Sequence, residues 1–246
     1  MLISLVLGII IGSFLNVVIY RLPSNKSIVS PPSACGSCGH RLGPIDLVPV
    51  LSYMFLKGKC RHCGAKISAR YPLVELLTGG LFALLFWRYG LTIAFIKYAI
   101  LACILISAGF IDMDHRIIPD ELNLFGLIAG IVFLFFPVGL SLKSSILGLL
   151  AGGGFLLFVA VISRGAMGGG DIKLFAVIGL FLGIEKTILA MFLTFLVGGI
   201  AGILLIATGI RSRKDYMPFG PFISLGAFIT IMWYNQLIIF YFNILD

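Results

Sequence analysis

The sequence predicts an all-α polytopic membrane protein with about eight transmembrane helices and one polar loop domain. Of its 246 residues, 60% are hydrophobic and only 11% are charged, and the mean hydropathy is +1.12. Soluble domains carry about 45–50% apolar and about 25% charged residues. The composition therefore excludes an ordinary soluble protein and indicates a chain embedded in lipid.

Eight apolar runs approach or reach the length of a membrane-spanning helix, which needs about 20 residues. They lie near residues 2–20, 73–87, 91–111, 122–140, 144–163, 172–184, 187–209 and 221–242. The second and sixth runs are short. Several runs contain closely spaced glycines, such as Gly8 with Gly12 and the cluster at 152–154. This spacing favours close packing of helices in lipid.

The basic residues separate into two unequal groups when the eight runs cross a membrane in turn. One side carries Arg21, Lys26, Arg41, Lys57, Lys59, Arg61, Lys66, Arg70, Arg116, Arg164, Lys173, Arg211, Arg213 and Lys214. The other side carries Arg88, Lys143 and Lys186, and Lys97 lies inside the third run, from which its side chain can reach outward. Cytoplasmic loops are enriched in Lys and Arg, so we expect the larger group in the cytoplasm and both termini outside.

The net charge of +8 does not indicate a nucleic-acid partner. Nucleic-acid binding would require basic residues clustered with aromatic ones on a folded face. Here the basic residues lie in loops beside apolar runs. We therefore expect the lipid bilayer as their partner, and no nucleic acid.

Four of the five cysteines form two C-x-x-C pairs in loop 21–72, Cys35 with Cys38 and Cys60 with Cys63. Two such pairs about 20 residues apart supply the four thiolates of a closed tetrahedral zinc site. The alternatives are disulfides or free thiols, and a cytoplasmic loop disfavours stable disulfides. We predict a structural Zn²⁺ that fixes the shape of the loop.

Acidic residues are scarce, and six of the ten lie at or beside the predicted cytoplasmic ends of the apolar runs. They are Asp112, Asp114, Asp120, Glu121, Asp171 and Asp215. Asp112 follows directly on the third run and so lies deepest toward lipid, whereas Asp114 points roughly 200° away on a helix. Asp120 precedes the fourth run, where capping of a helix is a sufficient role. Ionisable groups near hydrocarbon indicate function, which makes Asp112 the strongest candidate of this stretch.

A glycine stretch, Gly168, Gly169 and Gly170, precedes Asp171 at the start of the sixth run. Without side chains, this stretch can let an extended peptide backbone approach closely. A helix cap is the alternative role for Asp171. Two carboxyl groups a few Å apart do not both ionise easily, and such a pair can activate water and protonate a departing amine. Asp112 and Asp171 are therefore a candidate catalytic pair, and the sequence contains neither G-x-S-x-G nor H-E-x-x-H as a competing motif.

Five segments in order give the chain a family resemblance. They are GSFLNVVIYRLP (12–23), the two C-x-x-C pairs (35–63), RYPLVELLTG (70–79), IDMDHRIIPD (111–120) and MGGGDIKL (167–174). The chain resembles the bacterial type IV prepilin peptidases, which belong to the GxGD membrane aspartic proteases and serve type IV pili and type II secretion. The resemblance extends over nearly the whole chain.

The resemblance implies two activities at the cytoplasmic face of the bacterial inner membrane. A peptidase removes the short basic leader of a prepilin or pseudopilin after a glycine, and Asp112 and Asp171 match its catalytic aspartates. A methyltransferase then methylates the new N-terminus with S-adenosylmethionine, an activity that accompanies the cysteine-bearing loop in this family. Gly58, Lys59 and Glu75 are candidate methyltransferase residues, and a salt bridge from Glu75 to Arg70 or Lys66 is the structural alternative.

These expectations divide the chain into three parts. Residues 1–20 form a membrane anchor, residues 21–72 the cytoplasmic zinc-binding loop domain, and residues 73–246 the peptidase core. Two other functions are compatible with the residues. One is an ion or metal transporter that uses the same aspartates, although transporters more often show repeated halves and carboxylates near the midplane. The other is a peptidase without methyltransferase activity.

Overall fold

The computed structural model describes residues 1–136, 139–165, 167–210, 212 and 217–245, with the side chains of residues 244 and 245 left aside. The sequence-predicted cytoplasmic charges at Arg211, Arg213, Lys214 and Asp215 lie outside these residues. The described residues are mostly helical and contain no β-strand. The chain divides into two compact units, Met1–Leu91 and Thr92–Asp246.

The first unit consists of two long helices and the cysteine loop between them. Its helices are α1 (Leu2–Arg21), the short α2 (Leu51–Phe55) and α3 (Arg70–Tyr89), with 3₁₀ turns at Leu22–Ser24 and Pro44–Leu47. Helix α1 packs closely on α3 because it presents glycines to that helix. A methyl group at Gly8 would collide with the backbone of Gly79, and one at Gly12 with that of Glu75. The packing role predicted for Gly8 and Gly12 is confirmed.

The described residues of the second unit form six helices. They are α4 (Ile93–His115), α5 (Asp120–Leu134), α6 (Leu142–Ile162), α7 (Gly169–Leu182), α8 (Ile184–Ala207) and α9 (Gly220–Leu245). Helix α9 is kinked at Trp233, where φ is −126° and ψ is 18°. Helix α7 lies at the core of this unit, and many of its side chains are fully buried, including Leu174, Phe175, Ile178 and Phe181.

Each of the eight apolar runs coincides with one of the eight long helices. Five stretches of the described residues are long and apolar enough to cross a membrane. They are Leu2–Ser24, Ile93–His115, Leu142–Ile162, Ile184–Ala207 and Gly220–Asn243. Helices α5 and α7 are shorter, with 15 and 14 residues, and α3 does not meet the same test. The prediction of a helical membrane protein is confirmed, and the full count of eight spans stays a prediction.

The backbones of helices α6 and α7 are in direct contact at positions where α6 has glycines. A methyl group on Gly148 would overlap the carbonyl group of Gly179, and one on Gly152 would overlap the carbonyl group of Phe175. In lipid, where hydrophobic burial adds little to helix association, such close backbone approach is a main source of attraction. The packing role predicted for the glycines near 152–154 therefore holds at Gly152.

Helix α7 and helix α8 differ in length in a way that matters for the site. Only Gly183 separates them, and α8 has 24 residues against the 14 of α7. At 1.5 Å per residue, α8 returns about 15 Å beyond the start of α7. The first turn of α7, which contains Asp171, is therefore recessed below the far end of α8.

We expect Gly148→Ala to destabilise the second unit, because its methyl group would force α6 away from the α7 backbone. Overpacking of this kind costs about 1–3 kcal/mol. Thermal unfolding of the detergent-purified protein measures the effect. Gly154→Ala is the matched control on the same helix, since nothing lies within 4 Å of that position. Equal unfolding temperatures for the two variants would contradict the packing assigned to Gly148.

Candidate functional site: a thiol cluster and a buried carboxyl pair

The four loop cysteines come together, as their spacing predicts. The Sγ atoms of Cys35, Cys38, Cys60 and Cys63 all lie within 4.8 Å of one another. The Sγ atoms of Cys35 and Cys63 are 3.8 Å apart. Four sulfurs around a tetrahedral zinc ion with Zn–S bonds of about 2.3 Å would be about 3.8 Å apart. The cluster therefore has the dimensions of a four-thiolate metal site.

The two C-x-x-C pairs are built alike. The backbone N–H of Cys35 donates to His40 at 2.9 Å, and that of Gly39 donates to Cys35 at 2.9 Å. In the second pair Cys60 donates to Ala65 at 2.8 Å, and Gly64 donates to Cys60 at 3.0 Å. Both glycines have a φ of +70°, a backbone conformation that favours glycine. Each turn thus presents its two thiols on one side.

The thiols differ in acidity because they share one small volume. Backbone N–H groups of Cys38 and Ser37 lower the pKa of Cys35 to about 6. The backbone of Ala65 also lowers that of Cys63, but hydrogen bonds with the neighbouring thiols outweigh it and raise the pKa of Cys63 to about 11. A thiolate makes a second thiolate beside it costly unless a cation is present.

Glu75 is buried in the first unit, with a relative exposure of 7%. Its Oε2 accepts a hydrogen bond of 2.7 Å from the backbone N–H of Val50, and its carboxylate also accepts one from the Ser13 side chain. The alternative of a salt bridge to Arg70 or Lys66 is therefore wrong. Glu75 instead links α3 to the loop that precedes α2.

A pocket of about 630 Å³ lies in the first unit, between the cysteine loop and the cytoplasmic-side ends predicted for α1 and α3. Its lining includes Glu75, Asn16, Tyr53 and Tyr71, together with residues of both C-x-x-C pairs. This volume is within the range of about 300–1,000 Å³ that is usual for small-molecule sites. The pocket combines a carboxylate, an amide and aromatic rings.

Glu75 lines this pocket, whereas Gly58 and Lys59 do not. Gly58 is buried, has a φ of +68°, and packs against the ring of Tyr53, which does line the pocket. Lys59 is exposed. Gly58 can thus act on the pocket through Tyr53, and a methyltransferase role for Lys59 stays a prediction.

Asp112 is buried in the last turns of α4, with a relative exposure of 2%. Its Oδ2 accepts a hydrogen bond of 2.7 Å from the backbone N–H of Gly220, the first residue of α9. A side chain at Gly220 would collide with the Asp112 carboxyl group. Asp114 is exposed, as its helical position predicts. The sequence therefore distinguishes the buried aspartate from the solvated one correctly.

Asp171 is also buried, with a relative exposure of 4%, and is the third residue of α7. The N-cap of α7 is Gly168, which has no side chain with which to cap the helix. Among the described residues, no donor reaches the buried Oδ1 of Asp171. The backbone of Gly168, the N-cap residue, hydrogen-bonds to the Asp171 carboxyl group, so the alternative role at the start of the helix is compatible with the structure, and Oδ1 is buried without a partner.

The start of α7 is packed against the connection that follows α4. A methyl group at Gly170 would meet the backbone of Ile118, whereas at Gly169 nothing lies within 4 Å. Gly169 and Gly170 belong to α7, so only Gly168 of the predicted glycine stretch has an extended backbone. This packing brings the end of α4 toward Asp171, and the negative charge of Asp112 acts on Asp171.

An ion pair joins α5 to α7 next to this junction. Lys173 donates to both carboxylate oxygens of Asp120, at 2.7 and 2.8 Å. The N-cap of α5 is Pro119, so the predicted capping role of Asp120 is wrong. Both side chains are exposed, and such pairs contribute little to stability. The pair marks where the first turns of α5 and α7 meet.

Sequence reasoning missed two features of the site. The contact of Gly220 with Asp112 joins residues 108 positions apart, and no local pattern signals it. The pocket residues Asn16 and Tyr53 were likewise not predicted, although Asn16 is a polar residue inside an apolar run. Its amide donates to the Tyr71 carbonyl at 3.0 Å, which ties α1 to α3.

The fold and the site together define a helical membrane protein with two buried aspartates at helix ends and a separate thiol cluster. The chain belongs to the type IV leader peptidase family, whose sequence profile matches residues 99–203. The bacterial peptidase A24 N-terminal domain matches residues 6–89. The first match contains both aspartates, and the second contains all four loop cysteines.

Relatives of similar length support this assignment. A prepilin leader peptidase/N-methyltransferase of Bacillus subtilis is 36% identical over 237 residues, which cover 96% of this chain and 95% of the relative. Proteins with the same description from Pseudomonas aeruginosa and Neisseria gonorrhoeae are 33% and 34% identical over 262 and 253 residues. These alignments cover 95% and 91% of this chain, and 90% and 87% of the relatives. No solved structure matches the chain.

Proposed function

We propose that this protein is a membrane aspartic endopeptidase that cleaves the leader from type IV prepilins or pseudopilins and then methylates the new N-terminus. The names of its relatives supply the substrate class and both activities. The observation that carries the peptidase is the burial of Asp112 and Asp171 at one junction of α4, α7 and α9. Two interacting carboxyl groups fit acid and base catalysis.

The different surroundings of the two aspartates suggest their roles. The N–H of Gly220 stabilises a charged carboxylate at Asp112, which suits the base. Asp171 has no donor at Oδ1, which suits the acid that keeps a proton. Asp112 removes a proton from a water molecule while the oxygen of that water attacks the scissile carbonyl carbon. Asp171 gives its proton to the departing nitrogen as the C–N bond breaks, leaving a carboxylic acid and an amine.

The proposed membrane placement rests on the apolar helices and on the predicted distribution of the basic residues. All eight long helices cross the inner membrane, both termini are extracytoplasmic, and the aspartates face the cytoplasm. The short α5 and α7, about 22 and 21 Å long, leave the first turn of α7 recessed in a bilayer core of about 30 Å. The open space at Gly169 allows an extended substrate backbone to approach Asp171.

The transporter alternative is not favoured by the structure. Its carboxylates would line a path near the midplane. Here Asp112 lies in the last turns of α4 and Asp171 in the first turn of α7. Both therefore lie toward one end of their helices.

Asp112→Asn and Asp171→Asn should each reduce leader cleavage on the order of a thousandfold or more, since neither amide can exchange the required proton. A prepilin-like peptide incubated with the detergent-purified protein and analysed by mass spectrometry measures the rate. Asp114→Asn is the matched control, because Asp114 is exposed on the same helix. Cleavage that survives at Asp112→Asn but is lost at Asp114→Asn would reverse the assignment.

We also propose that the thiol cluster is a structural zinc site. The four Sγ atoms fit a closed tetrahedral shell, which leaves no position for a substrate. Cys35, Cys38, Cys60 and Cys63 would hold the metal as thiolates. The ion would offset the repulsion among them and fix the loop that lines the pocket.

Metal analysis of the purified protein should find about one zinc ion per chain. Cys38→Ser should remove it, because a hydroxyl group is a poor replacement for a thiolate ligand. Cys103→Ser should retain it, because Cys103 lies in α4 and does not belong to the cluster. Zinc retained by Cys38→Ser at the wild-type level would contradict this site.

The pocket of the first unit is our candidate site for S-adenosylmethionine, whose positively charged sulfonium supplies the methyl group. The Glu75 carboxylate attracts a positive charge, and the Tyr53 and Tyr71 rings can stack on an adenine or face a cation. During transfer the methyl–sulfur bond breaks and a bond to the new N-terminal nitrogen forms. The amine loses one proton, and the sulfonium becomes a neutral thioether.

Glu75→Gln should lower methylation of the cleaved peptide by about tenfold or more, because it removes the charge beside the pocket. It should leave leader cleavage intact, since the aspartates lie in the other unit. Mass spectrometry distinguishes the cleaved product from the cleaved and methylated one. Lys143→Gln, an exposed change on α6, is the control and should leave both steps unchanged. Full methylation by Glu75→Gln would exclude this residue.

A further inference from the structure

Most of the unpartnered polar atoms in the described residues lie in one part of the second unit. Among the described residues, five buried side-chain atoms have no hydrogen-bond partner. They are Oδ1 of Asp171, both polar atoms of the Asn123 amide, Oγ of Ser107 and Oγ of Ser145. Asn123 is 5% exposed and Ser107 only 1%. An atom of this kind destabilises the folded chain when it stays unpaired, because it has lost its hydrogen bonds to water.

The helix contacts place Asn123 and Ser107 at the same depth. A methyl group at Gly126 of α5 would meet the side chain of Ile104 of α4. Helices α4 and α5 are antiparallel neighbours joined by a short connection, so moving three residues along each brings Asn123 level with Ser107. Both residues lie in the contact region between these helices.

The same reasoning relates Asn123 to Asp171. Gly126 faces Val177 of α7, and Gly130 faces Leu180, so α5 and α7 run in the same direction. Three residues back from Val177, Asn123 is level with Leu174. Asp171 lies three residues before Leu174, which is about 4.5 Å nearer the start of α7. Ser107, Asn123 and Asp171 therefore lie within about one helical turn of one another along the helix axes, near the start of α7.

Other buried hydroxyl groups in the chain avoid the cost of an unpaired polar atom by bonding to the backbone of their own helix. Thr187, Thr194 and Thr230 each donate to the carbonyl group four residues earlier, at 2.6 to 2.9 Å. Ser107 also lies within a helix, where the same bond is available, yet it does not make it. Asn123 lies in a helix of an otherwise apolar unit. Both side chains are therefore available to a ligand that offers donors and acceptors.

We propose that Ser107 and Asn123 bind internal water beside Asp171, and that this water supplies the hydrolysis. The inference rests on the peptidase function proposed above. A buried water molecule typically makes two to four hydrogen bonds to otherwise unpaired polar groups. The amide, the hydroxyl and the carboxyl oxygen provide that number. Each cleavage consumes one water molecule, and the surrounding helices are too apolar to deliver it without such groups.

Asn123→Leu tests the proposal, because it removes the water ligand without leaving an unpaired atom. We expect kcat for leader cleavage to fall on the order of tenfold, with KM unchanged. The unfolding temperature should not fall, since an apolar replacement of unpaired groups is nearly neutral or stabilising. Asn123→Ser keeps a polar group that can bind water and should recover part of the rate. An unchanged kcat in Asn123→Leu would overturn the proposal.

Ser145→Ala is the matched control. Ser145 is fully buried and equally unpartnered, but it lies in the first turn of α6, level with the far end of α7. Its substitution should leave kcat unchanged, and an equal loss of kcat would overturn the proposal. A cryo-EM map that resolves ordered water should show density between Asn123 and Ser107, and dry packing there would also overturn it. Loss of cleavage in Asp171→Asn together with full activity in Asn123→Leu would reject this inference and retain the peptidase.

Discussion

Transferring a charged carboxyl group from water into a protein interior costs several kcal/mol. The second unit buries two carboxyl groups, Asp112 and Asp171, at one junction of helices. The backbone N–H of Gly220 partly offsets this cost for Asp112. For Asp171 the backbone of Gly168 offsets part of the cost, but no donor reaches Oδ1 among the described residues. The arrangement persists because the glycine contacts of α6 with α7, and of Gly170 with Ile118, leave the helices little freedom to separate. Helix packing in this unit thus keeps the carboxyl groups of Asp112 and Asp171 buried, although water would stabilise their charged forms better.

The first unit depends on a different constraint. Its loop is too polar and too short to form a hydrophobic core, and its order depends on the four thiols and on one buried carboxylate. Glu75 holds the backbone at Val50, which has a φ of +61°, a value that a β-branched residue rarely adopts. The thiol cluster fixes one side of the pocket and α3 fixes the other. Binding chemistry and loop order are therefore linked through the same few residues.

Much of this architecture could be predicted from the sequence, because apolar runs and C-x-x-C spacing are local signals. The eight long helices and the meeting of the four cysteines follow from such patterns, as does the contrast between Asp112 and Asp114. Partners that arise only in the folded chain could not be predicted. Glu75 bonds to a backbone N–H rather than to Arg70 or Lys66, and Asp120 pairs with Lys173 rather than capping α5. The packing of α1 on α3 in particular could not be predicted, because the spacing of Gly8 and Gly12 indicates close helix packing without identifying the partner helix.

The shortness of α5 and α7 has a consequence for the surrounding lipid. In the proposed placement α5, about 22 Å long and with one exposed apolar face, does not match a hydrocarbon core of about 30 Å, so lipids beside it would compress or tilt. The energy of this mismatch is a fraction of a kcal/mol per Å, and it depends on acyl chain length. In the proposed placement the bilayer would therefore be thinner beside α5 than elsewhere, and its lipid composition would act on a helix that packs directly on α7.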